Sequence, residues 1–241
     1  MRGAPGHAAR CRVFDDAGQL AEHAAALILA AAREAIAARG AFHLVLAGGE
    51  TPLATYACLA GAGADWRYWQ LYFSDERCLP AGDPGRNDTR IRRLWLERVT
   101  IPAEHIHAIP AELGPERAAA HYAGTLAGVS AFDLVLLGLG EDGHTASLFP
   151  GRPVGPGTVL PVRDAPKPPP ERVTLSASRL SGTRATIFLI TGAGKRAAVA
   201  AWRGGTDVPA GHVAGPDAVV TVLLDAAAAP PDCVRNSARQ P

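Results

Sequence analysis

The 241-residue sequence predicts an α/β fold with a mostly parallel central sheet and helices on both faces. Short apolar runs recur along the chain, and several are apolar on both alternating faces, as strands covered on two sides must be. Each run is followed by glycine or acidic residues and then by a helix-like stretch, the alternation that right-handed crossovers require. Ligands in such sheets bind beyond the carboxyl ends of the strands. Chemistry is therefore expected just after each apolar run.

The elements follow in order. A helix is predicted over 20–38, where abundant alanine lowers the entropic cost of helix formation while blurring the amphipathic pattern. Glu22, His23, Arg33 and Glu34 interrupt this segment, which is already near the minimum spanning length, so it reads as a partly buried helix and not a membrane span. The strand FHLVLAGG (42–49) precedes a helix over 52–60, and WQLYFSDE (69–76) precedes a helix over 88–98. A helix over 115–127 leads into FDLVLLGLG (132–140). The Pro- and Gly-rich segment 150–171 reads as a long ordered loop inside a single domain spanning 1–241, because a strand-like run resumes at once. RVTLSAS (172–178), ATIFLITG (185–192), a helix over 194–203 and VVTVLLD (219–225) complete the pattern.

Bulk properties narrow the partners. The 24 Lys and Arg nearly cancel the 23 Asp and Glu, so no global field recruits nucleic acid or an anionic membrane, and any anion must be caught locally. Cys11, Cys58, Cys78 and Cys233 are scattered without a CxxC pair and are read as reduced thiols. The first twenty residues lack the continuous apolar stretch of a signal peptide, so the expected location is cytoplasmic.

Four stretches carry candidate chemistry. In LAGGETPLATY (46–56), Gly48 and Gly49 allow close backbone approach, Thr51 offers a hydroxyl, and Pro52 suits the first turn of a helix whose free N–H groups attract phosphate. The stretch is neither GxGxxG nor GxxxxGK[ST], so no nucleotide is implied, and it also fits an ordinary strand-to-helix turn capped by Thr51. In FSDERCLP (73–80) and GRNDTR (85–90), Asp75 could orient a histidine or hold a sugar hydroxyl, while Arg77 and Asn87 offer donors to an anion or carbonyl oxygen. A solvated charge cluster, with Asn87 as a helix N-cap, is the alternative.

In GLGEDGHTASLFPG (138–151), Gly138, Gly140 and Gly143 let the chain reverse and put Asp142 and His144 at the rim shared with Asp75. A carboxylate there could fix the histidine tautomer and raise its basicity. No HxH, HxxxH or Cys-rich spacing supports a metal, so none is expected, and the absence of a GxSxG elbow argues against a serine nucleophile. Arg172 and Lys195 come after later strands or loops; with the 48–51 turn they would surround an anion, Arg172 bidentately and Lys195 as a point charge.

Taken in order, LAGGETPLATY, YFSDERCLP with Asn87, FDLVLLGLGEDGHTASLFPG, PPPERVTLS and TGAGKRAAV closely resemble the 6-phosphogluconolactonase family over about residues 42–200. The resemblance implies a Rossmann-like fold shared with glucosamine-6-phosphate deaminases. It also implies hydrolysis of 6-phospho-D-glucono-1,5-lactone without metal or cofactor. The implied partner is a sugar-phosphate lactone, with no nucleic acid, membrane or obligate protein partner. By likeness Gly48, Gly49, Thr51, Arg172 and Lys195 fall on phosphate-contacting positions, Asp75, Arg77, Asp142 and His144 on the reaction-centre side, and Asn87, Gly140 and Gly143 on other substrate contacts. The deaminases carry a glutamate before the loop proline as partner of the histidine; here Phe149 precedes Pro150. A sugar-phosphate-sensing regulator would need a DNA-binding helix-turn-helix, and the residues before the first predicted strand offer no basic recognition helix.

Overall fold

Apolar runs too long for one buried face become the inner strands of a sheet covered on both sides. The computed structural model describes residues 10–152, 155–213, 215, 218–231 and 233. Seven strands lie in the order β1 (Arg10–Phe14), β10 (Val219–Asp225), β9 (Thr183–Ile190), β6 (Phe132–Leu137), β2 (Phe42–Leu46), β3 (Trp69–Phe73) and β5 (Ile106–His107). Every neighbouring pair is parallel. The central β6, FDLVLL, is buried at all of its 6 positions, which only two-sided cover allows.

The helices arise from local signals. α1 (Ala17–Arg39) begins where the Asp16 carboxylate accepts from the Gln19 N–H and ends at Gly40, whose φ of 79° only glycine adopts freely. Leu20, Ala24, Ile28, Ala32 and Ala35 repeat at helical spacing and are buried, so the stripe that alanine blurred does exist. α2 (Glu50–Ala60) is capped by Gly49, with no side-chain cap, so Thr51 lies inside the helix and is not its cap. α3 (Asn87–Leu94) is shorter than expected: Trp95 leaves helical geometry and a 3-10 turn, Leu96–Arg98, follows. α4 is Pro115–Thr125 and α5 is Ala177–Ser181. The helix expected over 194–203 begins as a 3-10 turn, Ala193–Lys195, and continues as α6 (Arg196–Arg203).

Three differences from the sequence reading shape the cleft. First, the 69–76 run breaks at Ser74, and β4 (Asp75–Arg77) leaves the parallel sheet. Second, β8 (Arg172–Leu175) does not join the parallel sheet; it pairs antiparallel with β4, with Asp75 opposite Thr174 and Arg77 opposite Arg172. Third, the segment read as a loop over 150–171 contributes β7 (Val159–Val162), which completes a three-stranded sheet in the order β4-β8-β7. Pro161 within β7 hid that strand, since proline is tolerated in a sheet on an edge, where β7 lies. β1 and β5 also escaped notice; they are short outer strands with half-buried positions, and both lie on sheet edges.

Candidate active site

Strand alternation sorts the acidic triplet. Successive side chains of β4 point to opposite faces, so Asp75 and Arg77 share one face while Glu76 takes the other. Asp75 and Arg77 line a cleft of about 480 Å³ at the carboxyl ends of β2, β3, β6 and β9. Glu76 points away, is buried, and accepts from the N–H groups of Arg77 at 2.8 Å, Asn87 at 2.7 Å and Asp88 at 2.8 Å. Burial pushes its carboxyl up against those hydrogen bonds. It thereby supplies the first turn of α3 with the acceptor that the cap residue Arg86 does not provide.

Asn87 is the first residue of α3 and not its cap. Its Nδ2 donates to the Asp75 carbonyl at 3.0 Å, and its Oδ1 is buried without a partner among the described residues. The carboxamide lies so close to Gly48 that a Cβ there would fall 2.1 Å from Oδ1, so this position requires glycine. Gly49, with φ of 101°, turns the chain into α2 and brings its first N–H groups to the cleft. Thr51 Oγ1 is 2.7 Å from Thr191 Oγ1, tying α2 to the end of β9. Lys195 lines the same wall, and burial lowers its pKa while Glu141 opposes the shift.

The opposite wall is the 138–149 loop. The Gly140 N–H donates to the His144 carbonyl at 2.7 Å, and the Thr145 hydroxyl to the Gly138 carbonyl at 2.8 Å. A Cβ on Gly140 would lie 2.0 Å from His144 Nδ1, so the imidazole occupies the space that glycine leaves. His144 Nδ1 is 2.5 Å from Asp142 Oδ1, and the His144 backbone N–H adds a second bond to that oxygen at 3.2 Å. Asp142, not Asp75, is thus the direct partner of His144. Nδ1 carries the proton of that bond, leaving Nε2 as the basic nitrogen. Gly143, with φ of 85°, packs toward Val208, where a Cβ would come within 2.7 Å, and does not line the cleft.

Burial favours the neutral form of this base. Burial lowers the His144 pKa; Asp142 and Asp75 pull it up and Lys167 pushes it down. Burial raises the Asp142 carboxyl, but the His144 bonds outweigh that and hold it below the ordinary carboxylate range. Asp75, 6% exposed, accepts from Ser147 Oγ at 2.7 Å and Ser74 Oγ at 3.2 Å. Arg77 Nη1 donates to the Gly85 carbonyl at 2.5 Å, and its Nε has no partner among the described residues. Arg172 also faces the cleft, with its guanidinium held by carbonyls of 167–169. Among the described residues no group of three or more His, Cys, Asp or Glu is placed to hold a metal ion.

Sequence reading missed Lys167, Ser147 and Thr191. Lys167 lies in a Pro-rich stretch whose composition signals only a loop, and Ser147 and Thr191 belong to apolar or glycine-rich surroundings that carry no charge pattern. A larger cavity of about 720 Å³ opens beyond Ser147–Pro150. Its walls include Leu160, Pro161, Val208 and Pro209 and lack His144 and both cleft lysines, so the smaller cleft is the chemical one.

Comparison with known proteins agrees with this architecture. A 6-phosphogluconolactonase of Streptomyces coelicolor is 38% identical over 241 aligned residues, covering 90% of this chain and 92% of its own. One from Mycobacterium tuberculosis is 36% identical, covering 90% and 96%. The crystal structure of a Thermotoga maritima 6-phosphogluconolactonase superimposes with a TM-score of 0.84 at 27% identity, covering 90% of this chain and 99% of that one. A monomeric glucosamine-6-phosphate deaminase shares the fold, with a TM-score of 0.78 at 21% identity, covering 91% and 98%. Residues 15–222 match the family described as glucosamine-6-phosphate isomerases/6-phosphogluconolactonase, and the chain belongs to that family.

Proposed function

We propose that this chain is a cytoplasmic, single-domain 6-phosphogluconolactonase that hydrolyses 6-phospho-D-glucono-1,5-lactone to 6-phospho-D-gluconate without metal or cofactor. The observation that carries the reading is the Asp142–His144 pair, 2.5 Å apart, with His144 lining a cleft whose far wall offers Lys195, Thr51 and the start of α2.

The chemistry needs little more. A δ-lactone is an activated ester, so water attacks its carbonyl carbon while His144 Nε2 takes the water proton. Negative charge develops on the carbonyl oxygen, facing Arg77 or a backbone N–H of the glycine loop. On collapse the ring C–O bond breaks, and the imidazolium returns its proton to the departing sugar oxygen. Asp142 fixes the tautomer and stabilises the transient cation. Gly48, Gly49, Thr51 and Lys195 face the phosphate, Asn87 and Gly140 the sugar, and Asp75 a hydroxyl; Gly143 acts by shaping the loop, and Arg172, expected at the phosphate, spends its guanidinium on the carbonyls of 167–169.

The donor set favours metal-free chemistry, since His144 is the single imidazole lining the cleft among the described residues and Asp142 and Asp75 are both engaged in hydrogen bonds. Phe149 favours lactone hydrolysis over amino-sugar ring opening: its ring packs 4.8 Å from that of His144, at the position where a deaminase would carry its glutamate. The test is lactone hydrolysis coupled to oxidation of the 6-phosphogluconate formed, run with and without a chelator. Acceleration over the spontaneous rate, unchanged by chelation, is expected, with no ammonia from glucosamine 6-phosphate. Absence of acceleration refutes the activity, and loss on chelation refutes the metal-free mechanism.

A further inference from the structure

A bidentate grip on phosphate requires two adjacent guanidinium N–H groups that are free. Arg172 does not have them. Its Nε donates to the Pro169 carbonyl at 3.0 Å, and its Nη2 to the Lys167 and Pro168 carbonyls at 2.7 and 3.2 Å. Nη1 reaches Ser147 Oγ at 3.5 Å. The residue is 6% exposed and makes several bonds at once, so turning the guanidinium out of this arrangement is costly. Three consecutive carbonyls of the Pro-rich loop are thus clamped to β8 by one side chain.

That clamp holds up Lys167. Proline stands at 166 and at 168–170, which restricts the backbone on both sides, and the Ala165 N–H closes the loop onto the Pro170 carbonyl at 3.0 Å. The Lys167 side chain is exposed, lines the cleft, and has no hydrogen bond or ion pair among the described residues. Lys167 lines the same cleft as His144 and Lys195, and its charge pushes the pKa of both down. Two ammonium groups turned toward one cavity suit a doubly charged anion.

We infer that Lys167 is a phosphate-contacting cation paired with Lys195 across the cleft, and that Arg172 is a positioning residue holding the Lys167 loop, not itself a phosphate ligand. The inference deepens the lactonase reading and rests on it for the identity of the anion.

Binding of 6-phosphogluconate and of unphosphorylated gluconate to the full chain, measured by calorimetry, tests it. Lys167→Ala should weaken 6-phosphogluconate about 10- to 100-fold, the value of one charged hydrogen bond, and leave gluconate unchanged. Lys167→Arg should restore most of the loss. Arg172→Lys should weaken binding too, yet Lys167→Ala combined with Arg172→Lys should bind no worse than the weaker single variant. Multiplying losses would mean that Arg172 grips phosphate directly, overturning its assigned role. A Lys167→Ala variant that binds like the parent overturns the site.

The acid limb of kcat/KM supplies a second readout. Asp142, Asp75 and Lys167 are the charged groups acting on His144, and removing the like charge of Lys167 should move the limb to higher pH. An unmoved limb would contradict the placement of the ammonium. Because Lys167 is exposed, its variants should fold; melting temperatures of the Arg172 variants separate misfolding from lost binding. If the parent binds 6-phosphogluconate but does not hydrolyse the lactone, the lactonase reading fails while this inference stands.

Discussion

The two walls of the cleft are built by different means. One follows the parallel sheet: β2 and β9 end in glycine turns, and what they present is backbone N–H, the Thr51 and Thr191 hydroxyls and Lys195. The other is made by chain that departs from that sheet, namely β4, β8 and the 138–149 loop, and it presents charged groups that are cross-bonded, with Asp75 and Arg172 buried and His144 partly so. The first wall suits a fixed anion, because backbone donors need no reorganisation. The second suits groups whose protonation or aim must be controlled, because burial and partners set both. Binding and reactivity should therefore separate by mutation.

The sharpest attempt to break that division is His144→Ala. It should lower kcat by about 10²- to 10⁴-fold while calorimetric affinity for 6-phosphogluconate stays near the parent value. Equal loss of both would merge the walls. In the parent, burial keeps His144 neutral below its ordinary pKa of 6.5, so activity should persist below that pH and fall only as the lowered pKa is crossed. Gly140→Ala comes next, since the added methyl would sit 2.0 Å from Nδ1 and must displace the imidazole from Asp142. Its kcat should approach that of His144→Ala, checked by the same assay.

On the other wall, Lys195→Ala should raise KM and weaken 6-phosphogluconate about 10-fold or more, with kcat changed far less. The smallest effect belongs to the rim. Glu50 pairs with Arg90 at 2.6 Å, but its side chain is 83% exposed, so Glu50→Gln should shift unfolding by less than about 1 kcal/mol in a denaturant titration. A larger shift would mean that the first wall also depends on ion pairs.

Much of this was legible in sequence because the relevant signals are local. The strands β2, β3, β6, β9 and β10 announce themselves as apolar runs, and GLGEDGHTASLFPG carries both its base and the partner two residues away. What stayed hidden depends on pairing between distant segments. The triplet Asp75, Glu76 and Arg77 reads as three charges on a rim, and only the antiparallel partner β8 makes them alternate between cleft and interior. Arg172 likewise looks like a free cation until its carbonyl partners are seen. Asp142 and Asp75 could not be ranked by position along the chain, since both stand near strand ends; the 2.5 Å bond distinguishes them.

The order of the strands also dictates when the cleft can exist. β1 and β10 come from opposite ends of the described chain and pair from Arg10 with Thr221 to Phe14 with Asp225. Asp225 then accepts from the Gly192 N–H at 3.0 Å, fixing the turn that carries Lys195. A nascent chain can assemble β2, β3 and β6 early, but the Lys195 turn waits for its last strand. Non-local pairing of this kind slows folding, and it makes the anchoring of the Lys195 turn depend on the last strand of the sheet.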